Sequence, residues 1–305
     1  MKITAFRNTF KLLCGLFAAV CGILQGSSAY GQIFVSNEYS SSRGTIGEYT
    51  MNGTAVNTSL ISMTQCVPMG IAVSGSYVFV SDDYAGIVRE YTTSGATVNA
   101  SFLNFGLAVY GIAASDSYIF VQHGSATVGK YTMAGATVNA SLITNLPAIS
   151  RLAVSGSYIF TASANGTIGE YMTDGTVVNA SLITGLSNPE GIAVSGSDIY
   201  VANNGNGTVG EYTTNGATVN ASLITGLNGP CGIAVSGSNL YVSLNGNGTI
   251  GQYTTNGATV NASLITGLST PLGIAVNAVP EPSTWALLAG GMGALCCLRR
   301  RFLRA

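Results

Sequence analysis

A small set of side chains in this chain could do chemistry. Two adjacent carboxylates, Asp82 and Asp83, offer the oxygen ligands that Ca²⁺ prefers, although Asp pairs are also common in tight turns. His123 is the single histidine, so a histidine-based triad or a zinc site would lack partners. Arg151 and Glu190 could recognise a ligand together, or could form a structural ion pair. We predict no catalytic residue, no bound metal ion and no cofactor. The candidate ligand-binding residues are Asp82, Asp83, Tyr110, His123, Arg151 and Glu190.

An internal repeat must position these residues. The phrase GIAVSGS or a close relative of it begins at Gly70, Gly111, Arg151, Gly191, Gly232 and Gly273. The successive spacings are 41, 40, 40, 41 and 41 residues. A period of about 40 to 45 residues with strand-like content is typical of β-propeller blades, each of which is a four-stranded sheet.

One repeat unit shows the four strands. Residues 232–235 form a short apolar run that suits a buried inner strand, and residues 240–243 form a second strand. The sequence Asn-Gly-Asn-Gly then predicts a hairpin turn, because Asn and Gly tolerate positive φ. Residues 249–254 and 258–265 supply the third and fourth strands.

The two ends of the repeat region predict a closed ring. The first unit begins with the second strand at Ile33, and the last unit stops after the inner strand at residues 273–276. The two fragments complement each other, so their pairing would leave no open sheet edge. We therefore predict an all-β, six-bladed propeller over residues 32–278. An open β-solenoid is the alternative, but it would have no use for complementary ends.

The candidate residues fall in two kinds of loop that open on one face of such a ring. The residue before each inner strand varies most between units and includes Tyr110 and Glu190, while Arg151 replaces a glycine. The hairpins between second and third strands hold the other candidates, together with Glu38, Tyr39 and Tyr84. Loops that converge on a rigid scaffold are common binding sites. We therefore expect ligand recognition at the mouth of the central channel.

The repeat resembles the NHL-type and gluconolactonase-like propeller repeats, whose blades also run from a glycine-initiated inner strand to a turn-rich hairpin. The resemblance covers about 245 residues and implies the fold. The acidic and Asn metal ligands of the gluconolactonase-like enzymes have no matching positions in this chain. The resemblance therefore implies no activity.

The N-terminus predicts export. Lys2, Arg7 and Lys11 precede an apolar run at residues 12–24 and then a stretch of small residues, which is the order found in a secretory signal peptide. We place the signal peptide at residues 1–31, with cleavage before Gln32; cleavage after Ala29 is the alternative.

The C-terminal segment, residues 279–305, predicts sorting. A Pro-Glu-Pro triplet precedes an uncharged stretch at residues 285–298, which we expect to form a short apolar helix, and an arginine cluster follows. This arrangement resembles the PEP-CTERM sorting signal, which implies an exosortase-type processing enzyme as partner and a setting rich in extracellular polysaccharide. An uncut membrane anchor is the alternative. The sorting residues are Pro280, Glu281, Pro282, Arg299, Arg300 and Arg301.

Charge and cysteine content further restrict the functions that this chain could have. Residues 32–278 hold four basic and eleven acidic side chains, a net charge of −7, so we expect no nucleic-acid partner. Their two cysteines, Cys66 and Cys231, lie in crossovers two blades apart, so we expect free thiols.

We predict an exported propeller of the cell envelope or extracellular matrix that binds a polysaccharide or a surface protein without catalysis, and whose C-terminal segment contacts the membrane before processing. The alternatives are a lactonase-like or lyase-like enzyme acting at the channel mouth and a purely structural surface protein.

Overall fold

The described part of the chain forms one β-propeller. The computed structural model describes residues 31–40, 43–124, 126–147 and 149–277, and the strands form one compact unit, Gln32–Asn277. The predicted signal peptide up to residue 30, the sorting residues and the predicted C-terminal helix lie outside the described residues. Within the described ranges, no helix is long and apolar enough to cross a membrane.

The described residues form six four-stranded antiparallel sheets, which confirms the predicted architecture. Blade 1 contains β1 (Gln32–Ser40), β2 (Arg43–Thr50), β3 (Ala55–Thr64) and the last strand, β24 (Thr270–Asn277). Blade 2 contains β4 (Pro68–Ser74), β5 (Tyr77–Asp82), β6 (Ile87–Thr92) and β7 (Thr97–Asn104). Blade 3 contains β8 (Val109–Ala114), β9 (Tyr118–His123), β10 (Thr127–Thr132) and β11 (Thr137–Ile143).

The remaining blades repeat this order. Blade 4 contains β12 (Ile149–Ser155), β13 (Tyr158–Ser163), β14 (Thr167–Met172) and β15 (Val177–Ile183). Blade 5 contains β16 (Pro189–Ser195), β17 (Asp198–Asn203), β18 (Thr208–Thr213) and β19 (Thr218–Ile224). Blade 6 contains β20 (Pro230–Ser236), β21 (Asn239–Leu244), β22 (Thr249–Thr254) and β23 (Thr259–Ile265).

The two ends of the repeat region close the ring. β24 pairs antiparallel with β1, which places Val276 opposite Ile33 and Ile274 opposite Val35. The six inner strands contact one another in the order β24, β4, β8, β12, β16, β20 and back to β24. The predicted closure is therefore confirmed, and it removes the open edge that an incomplete first blade would expose.

The hydrophobic core lies between the blades, where the faces of neighbouring sheets meet. Phe79 of blade 2, for example, belongs to one buried cluster with Ile112, Ile119 and Val121 of blade 3. An aromatic residue occupies the same position of the second strand in every blade: Phe34, Phe79, Phe120, Phe160, Tyr200 and Tyr241. Aromatic side chains bury large areas, so this sixfold packing stabilises the ring as a whole.

The outermost strand of each blade has one exposed edge and a kink. In β7, the pairing with β6 shifts on both sides of Asn99, whose Oδ1 accepts a hydrogen bond from the backbone N–H of Ser101 at 3.0 Å. The same Asn-to-Ser bond is present in the other five outermost strands. This bond explains why the Asn-Ala-Ser triplet recurs, since a β-bulge bends the strand and disrupts the edge.

Candidate functional site

The backbone positions of the candidate residues lie at one end of the ring, which we call the crossover face. It is the end at which the chain enters each inner strand and at which the hairpins between second and third strands lie. Strand pairing fixes this arrangement, since Pro68 lies opposite Asp82 and Val109 lies opposite His123.

The channel itself is too narrow for an organic ligand. One branched aliphatic side chain from each inner strand lines it: Ile71, Ile112, Leu152, Ile192, Ile233 and Ile274. The cavity that they enclose with the neighbouring glycines has a volume of about 70 Å³, which leaves room for a few water molecules. A larger ligand therefore cannot enter the channel, although it could contact the mouth of the channel from outside.

Close contact between inner strands explains the glycine that begins most repeats. A Cβ atom on Gly191 would lie 2.1 Å from the carbonyl oxygen of Cys231, and one on Gly273 would lie 2.7 Å from that of Met69. Arg151 is the one residue with a side chain in this ring of glycines. Blade 4 therefore places a long cationic side chain where the other blades have none.

Serine side chains link neighbouring blades just below the mouth. The Ser81 hydroxyl accepts a hydrogen bond from the Gly70 N–H at 2.7 Å and donates one to the Tyr110 carbonyl of the next blade at 2.9 Å. Ser243 makes the equivalent pair of bonds between blades 6 and 1. These bonds hold the crossover backbone in place and so give the face a rigid base.

The guanidinium of Arg151 extends over the channel mouth. Its Nη2 donates a hydrogen bond at 3.2 Å to the carbonyl oxygen of Met69, which precedes the inner strand of blade 2. Arg151 belongs to blade 4, so this bond joins two blades that are not neighbours in the ring. The cation is thus held over the mouth of the channel by a backbone oxygen.

Glu190 lies on the next blade and accepts hydrogen bonds on both oxygens. The Sγ–H of Cys231 donates to Oε2 at 3.1 Å, and Nδ2 of Asn188 donates to Oε1 at 3.2 Å. Burial raises the pKa of the Cys231 thiol to about 12, with the Glu190 carboxylate adding to the rise and Arg151 opposing it. Cys231 is therefore a neutral hydrogen-bond donor at physiological pH, not a nucleophile.

The two adjacent aspartates have different surroundings. Asp82 is fully buried, and its Oδ2 accepts hydrogen bonds from Nη2 and Nε of Arg89 at 2.8 and 3.1 Å. Its Oδ1 accepts the backbone N–H groups of Val67 and Ala85 at 3.1 and 3.2 Å. Asp82 therefore anchors the β5–β6 hairpin, and both of its oxygens are already used.

Asp83 belongs to the surface of the crossover face. It is partly buried and lies close to Tyr110. Its pKa is raised mainly by burial and also by the Asp82 charge, whereas Tyr110 lowers it. Burial and the Asp83 charge likewise raise the pKa of Glu38, on blade 1. Blades 1 to 3 thus contribute an acidic group with a tyrosine, and blades 4 and 5 contribute Arg151 and Glu190.

Comparison with known proteins places this chain in a family. The family model described as the virginiamycin B lyase family matches residues 29–295. The chain belongs to the virginiamycin B lyase family. No curated protein sequence matches it.

Solved structures similar to this virginiamycin B lyase family member share its fold. A chain from the crystal structure of a nidogen/laminin complex has a TM-score of 0.71 at 15% identity, covering 82% of this chain and 99% of that chain. The computationally designed protein Ika8 has a TM-score of 0.50 at 16% identity, covering 79% of this chain and 74% of that chain. At these identities the likeness concerns the fold alone.

His123 lies apart from the other candidate residues of this virginiamycin B lyase family member. Its ring stacks on Phe105, with centroids 4.5 Å apart and an interplanar angle of 17°. Its Nε2 is 3.0 Å from the carbonyl oxygen of Ala140, in the outermost strand of blade 3. The imidazole therefore packs toward the rim of its own blade. In the ranges that the structure describes, no three His, Cys, Asp or Glu side chains lie close enough together to hold a metal ion.

Two features of the crossover face escaped the sequence analysis. Leu107 is exposed beside the hairpins, and no pattern in its segment indicates that. Arg89, the partner of Asp82, stands where the other five units have a glycine, so comparison of the third strands could have found it. The residues next to Asp82 and Asp83 do not indicate that Arg89 of β6 forms an ion pair with only one of these two aspartates.

Proposed function

We propose that this protein is an exported, non-catalytic binding propeller of the cell surface or extracellular matrix. The observation that supports this proposal is that the near-identical blades differ most from one another at the crossover face. On the crossover face of blades 1 and 2, together with the crossover that follows, three large apolar side chains are exposed: Tyr39 by 53%, Tyr84 by 62% and Leu107 by 58%. Exposed tyrosines beside polar groups are typical of interaction surfaces.

The charged groups favour binding over catalysis. Arg151 is hydrogen-bonded to a backbone carbonyl, and both Glu190 oxygens accept hydrogen bonds. A general base would need a carboxylate that is free to take a proton from a substrate at hydrogen-bond distance. Groups fixed in this way are better suited to recognising the shape and charge of a partner.

Binding can be tested on cells that lack the gene. Labelled protein added from outside should remain on the cell surface, and the double variant Tyr39→Ala, Tyr84→Ala should be retained about tenfold less. The exposed Tyr77 lies on the opposite face of blade 2, so Tyr77→Ala is the matched control. If treating the cells with periodate before the protein is added abolishes retention, the partner is a polysaccharide. If treating them with protease abolishes it, the partner is a surface protein. Equal retention of the double variant and the control would contradict the proposal.

Export and sorting can be tested by measuring the intact mass of the processed protein. The proposal requires removal of residues 1–31 during export, then recognition of Pro280, Glu281 and Pro282 by an exosortase-type enzyme. The processed protein should begin at Gln32 and should lack Trp285, the single tryptophan, so its fluorescence should come from tyrosine alone. Tryptophan emission and a mass reaching Ala305 would instead support a permanent anchor.

A lyase-like activity is the second candidate, favoured by the family match over residues 29–295. Virginiamycin B is the direct probe, with disappearance of the parent compound followed by liquid chromatography. If the protein consumes it, Arg151→Gly should reduce the rate strongly, because five of the six blades show that glycine fits this position. Glu190→Gln would then show whether the carboxylate acts as a base. No consumption at high protein concentration would contradict this alternative.

A further inference from the structure

The face opposite the crossover face has a groove between blades 3 and 4. Its cavity volume is about 450 Å³, which lies in the range of sites that hold small organic ligands. Blade 3 contributes the turn between its first two strands, Ser115, Asp116 and Ser117, and the ring of Tyr118. Blade 4 contributes Gly156 and Thr173. Hydroxyl groups, one carboxylate and an aromatic ring therefore border a single groove.

The turn in this groove differs from the equivalent turns of other blades. Gly75, Gly156, Gly196 and Gly237 occupy the position of Asp116, and their φ angles lie between 55° and 59°. Asp116 does not adopt a positive φ. Ser115 closes the turn instead, since its N–H donates to the Tyr118 carbonyl at 2.8 Å and its Oγ accepts the Tyr118 N–H at 3.1 Å. At this position blade 3 therefore has the carboxylate side chain of Asp116, whereas the neighbouring blades have a glycine without a side chain.

A second departure from the repeat lies beside the first. Lys130 stands where four other blades have a glutamate and blade 6 has Gln252. Its Nζ lies 4.1 Å from the centroid of the Tyr118 ring and donates a hydrogen bond at 2.9 Å to the carbonyl oxygen of Thr173. The cation–π contact holds the ring, and the hydrogen bond joins the two blades that form the groove. The groove is therefore fixed before any ligand arrives, which lowers the entropic cost of binding.

We propose that this groove binds one pyranose unit of a neutral saccharide. The C–H face of a pyranose packs on an aromatic ring, here on the side of Tyr118 away from Lys130, and its hydroxyl groups pair with carboxylate and serine oxygens. An anionic sugar fits less well, because Asp116 would repel it and the ammonium of Lys130 is already engaged. This site lies on the opposite face of the ring from Arg151 and does not depend on the function proposed for the crossover face.

The test is isothermal titration calorimetry of the full-length protein with three neutral hexasaccharides, made of β-1,4-linked glucose, mannose or xylose, and with hexagalacturonate. We expect at least one neutral sugar to bind more tightly than hexagalacturonate. Tyr118→Ser should raise its Kd by about tenfold or more, and Asp116→Ala by several-fold. Amide shifts in ¹⁵N NMR spectra should be confined to residues 115–118 and the adjoining turns of blade 4.

Matched controls separate the groove from general effects. Tyr77→Ser alters the equivalent exposed tyrosine of blade 2, and Asp198→Ala removes an acid from the equivalent strand start of blade 5. Both should leave the Kd unchanged. Asp116 is exposed, so Asp116→Ala should keep the melting temperature even if Tyr118→Ser lowers it. Binding of none of the neutral sugars, preference for hexagalacturonate, or equal weakening by Tyr118→Ser and Tyr77→Ser would overturn the proposal.

Discussion

The ion pair of Asp82 and Arg89 shows how single residues distinguish one blade from its copies. Five units have glycine in place of Arg89, and blade 5 combines this glycine with Asn203 in the place of Asp82. Because a lone charge buried in this way would be costly, the acid and the base depend on each other. Their contact also explains why adjacent aspartates have unequal roles, since only Asp83 remains at the surface of the crossover face.

Replacing Asp82 alone should therefore be far more harmful than replacing the pair. Asp82→Asn leaves the largely buried Arg89 without its carboxylate, and the free energy of unfolding should fall by about 3 kcal/mol or more. The double variant Asp82→Asn, Arg89→Gly reproduces blade 5 and should regain over half of that loss. The free energies of unfolding of both variants and of Arg89→Gly, measured by urea denaturation, complete a double-mutant cycle. Equal losses in the single and double variants would mean that the pair is not coupled.

A second residue-scale prediction concerns the buried glutamates of the third strands. Burial raises the pKa of Glu90 and Glu170 above the usual value of 4.5. The folded protein then binds more protons than the unfolded chain in the window above pH 4.5, so the free energy of unfolding falls as pH rises through that window. Below the window both states are protonated, and the cost of burying the charge disappears.

Glu170→Gln should remove this cost at neutral pH. Blade 6 already carries Gln252 at the same position, so the amide fits the repeat. We expect the melting temperature at pH 7 to rise by about 1–3 °C and the difference from the parent protein to vanish near pH 4. Gln252→Glu is the matched control and should lower the melting temperature at pH 7. A shift of the same size at both pH values would rule out the protonation mechanism.

At the scale of single strands, the repeated Asn-Ala-Ser triplet protects the rim of the molecule. Each outermost strand has an unpaired edge and an exposed valine, such as Val98 and Val138. A flat apolar edge of this kind would be a template for pairing with another molecule. The bond from Ser101 N–H to Asn99 Oδ1 occupies a backbone donor and holds the bulge, so the strand cannot lie flat against a second one.

Asn99→Val together with Asn139→Val should therefore promote association. The variant should form oligomers at lower protein concentration, while its free energy of unfolding falls by only about 1–2 kcal/mol. Thr97→Val with Thr137→Val adds apolar surface to the same two strands but leaves both Asn-to-Ser bonds intact. Light scattering measured as a function of protein concentration compares the association of the two double variants. If the threonine variant associates as readily, the polar side chains on the exposed face, and not the bulge, protect the edge.

At the scale of the whole molecule, ring closure depends on five residues at the end of the described chain. Residues 273–277 supply the pairing that places Val276 opposite Ile33 and Ile274 opposite Val35. Ile274 also lines the channel and belongs to the buried cluster that joins blade 1 to blade 6. Their removal would expose an edge of β1 and open the core at one blade interface.

A chain truncated after Leu272 should therefore melt at least about 10 °C below one truncated after Asn277, since each kcal/mol shifts the melting temperature by about 2–4 °C in a domain of this size. It should also aggregate through the exposed edge. Both chains begin at Gln32, so they differ only by the closing residues. Coincident melting curves would contradict closure by strand pairing in solution.

The sequence by itself determined the number of blades, the four strands in each and the way in which the ring closes. These properties follow from a repeat of 40 or 41 residues, from turn residues at fixed offsets and from the phase at its two ends. All of them are local to one unit or follow from counting units. Strand periodicity and turn chemistry act over a few residues, so a single unit already contains the information.

Only the tertiary structure decided which candidate side chains meet. Arg151 lies over the channel because it bonds to a carbonyl 82 residues away, and Glu190 is held by a thiol 41 residues away. His123 packs toward the rim of its blade, although the spacing of the repeat placed it in the same kind of hairpin as Asp82 and Asp83. A repeat fixes where each backbone position lies in its blade. The direction and the partner of a side chain depend on what neighbouring blades place beside it, and the pattern of a single unit does not contain that information.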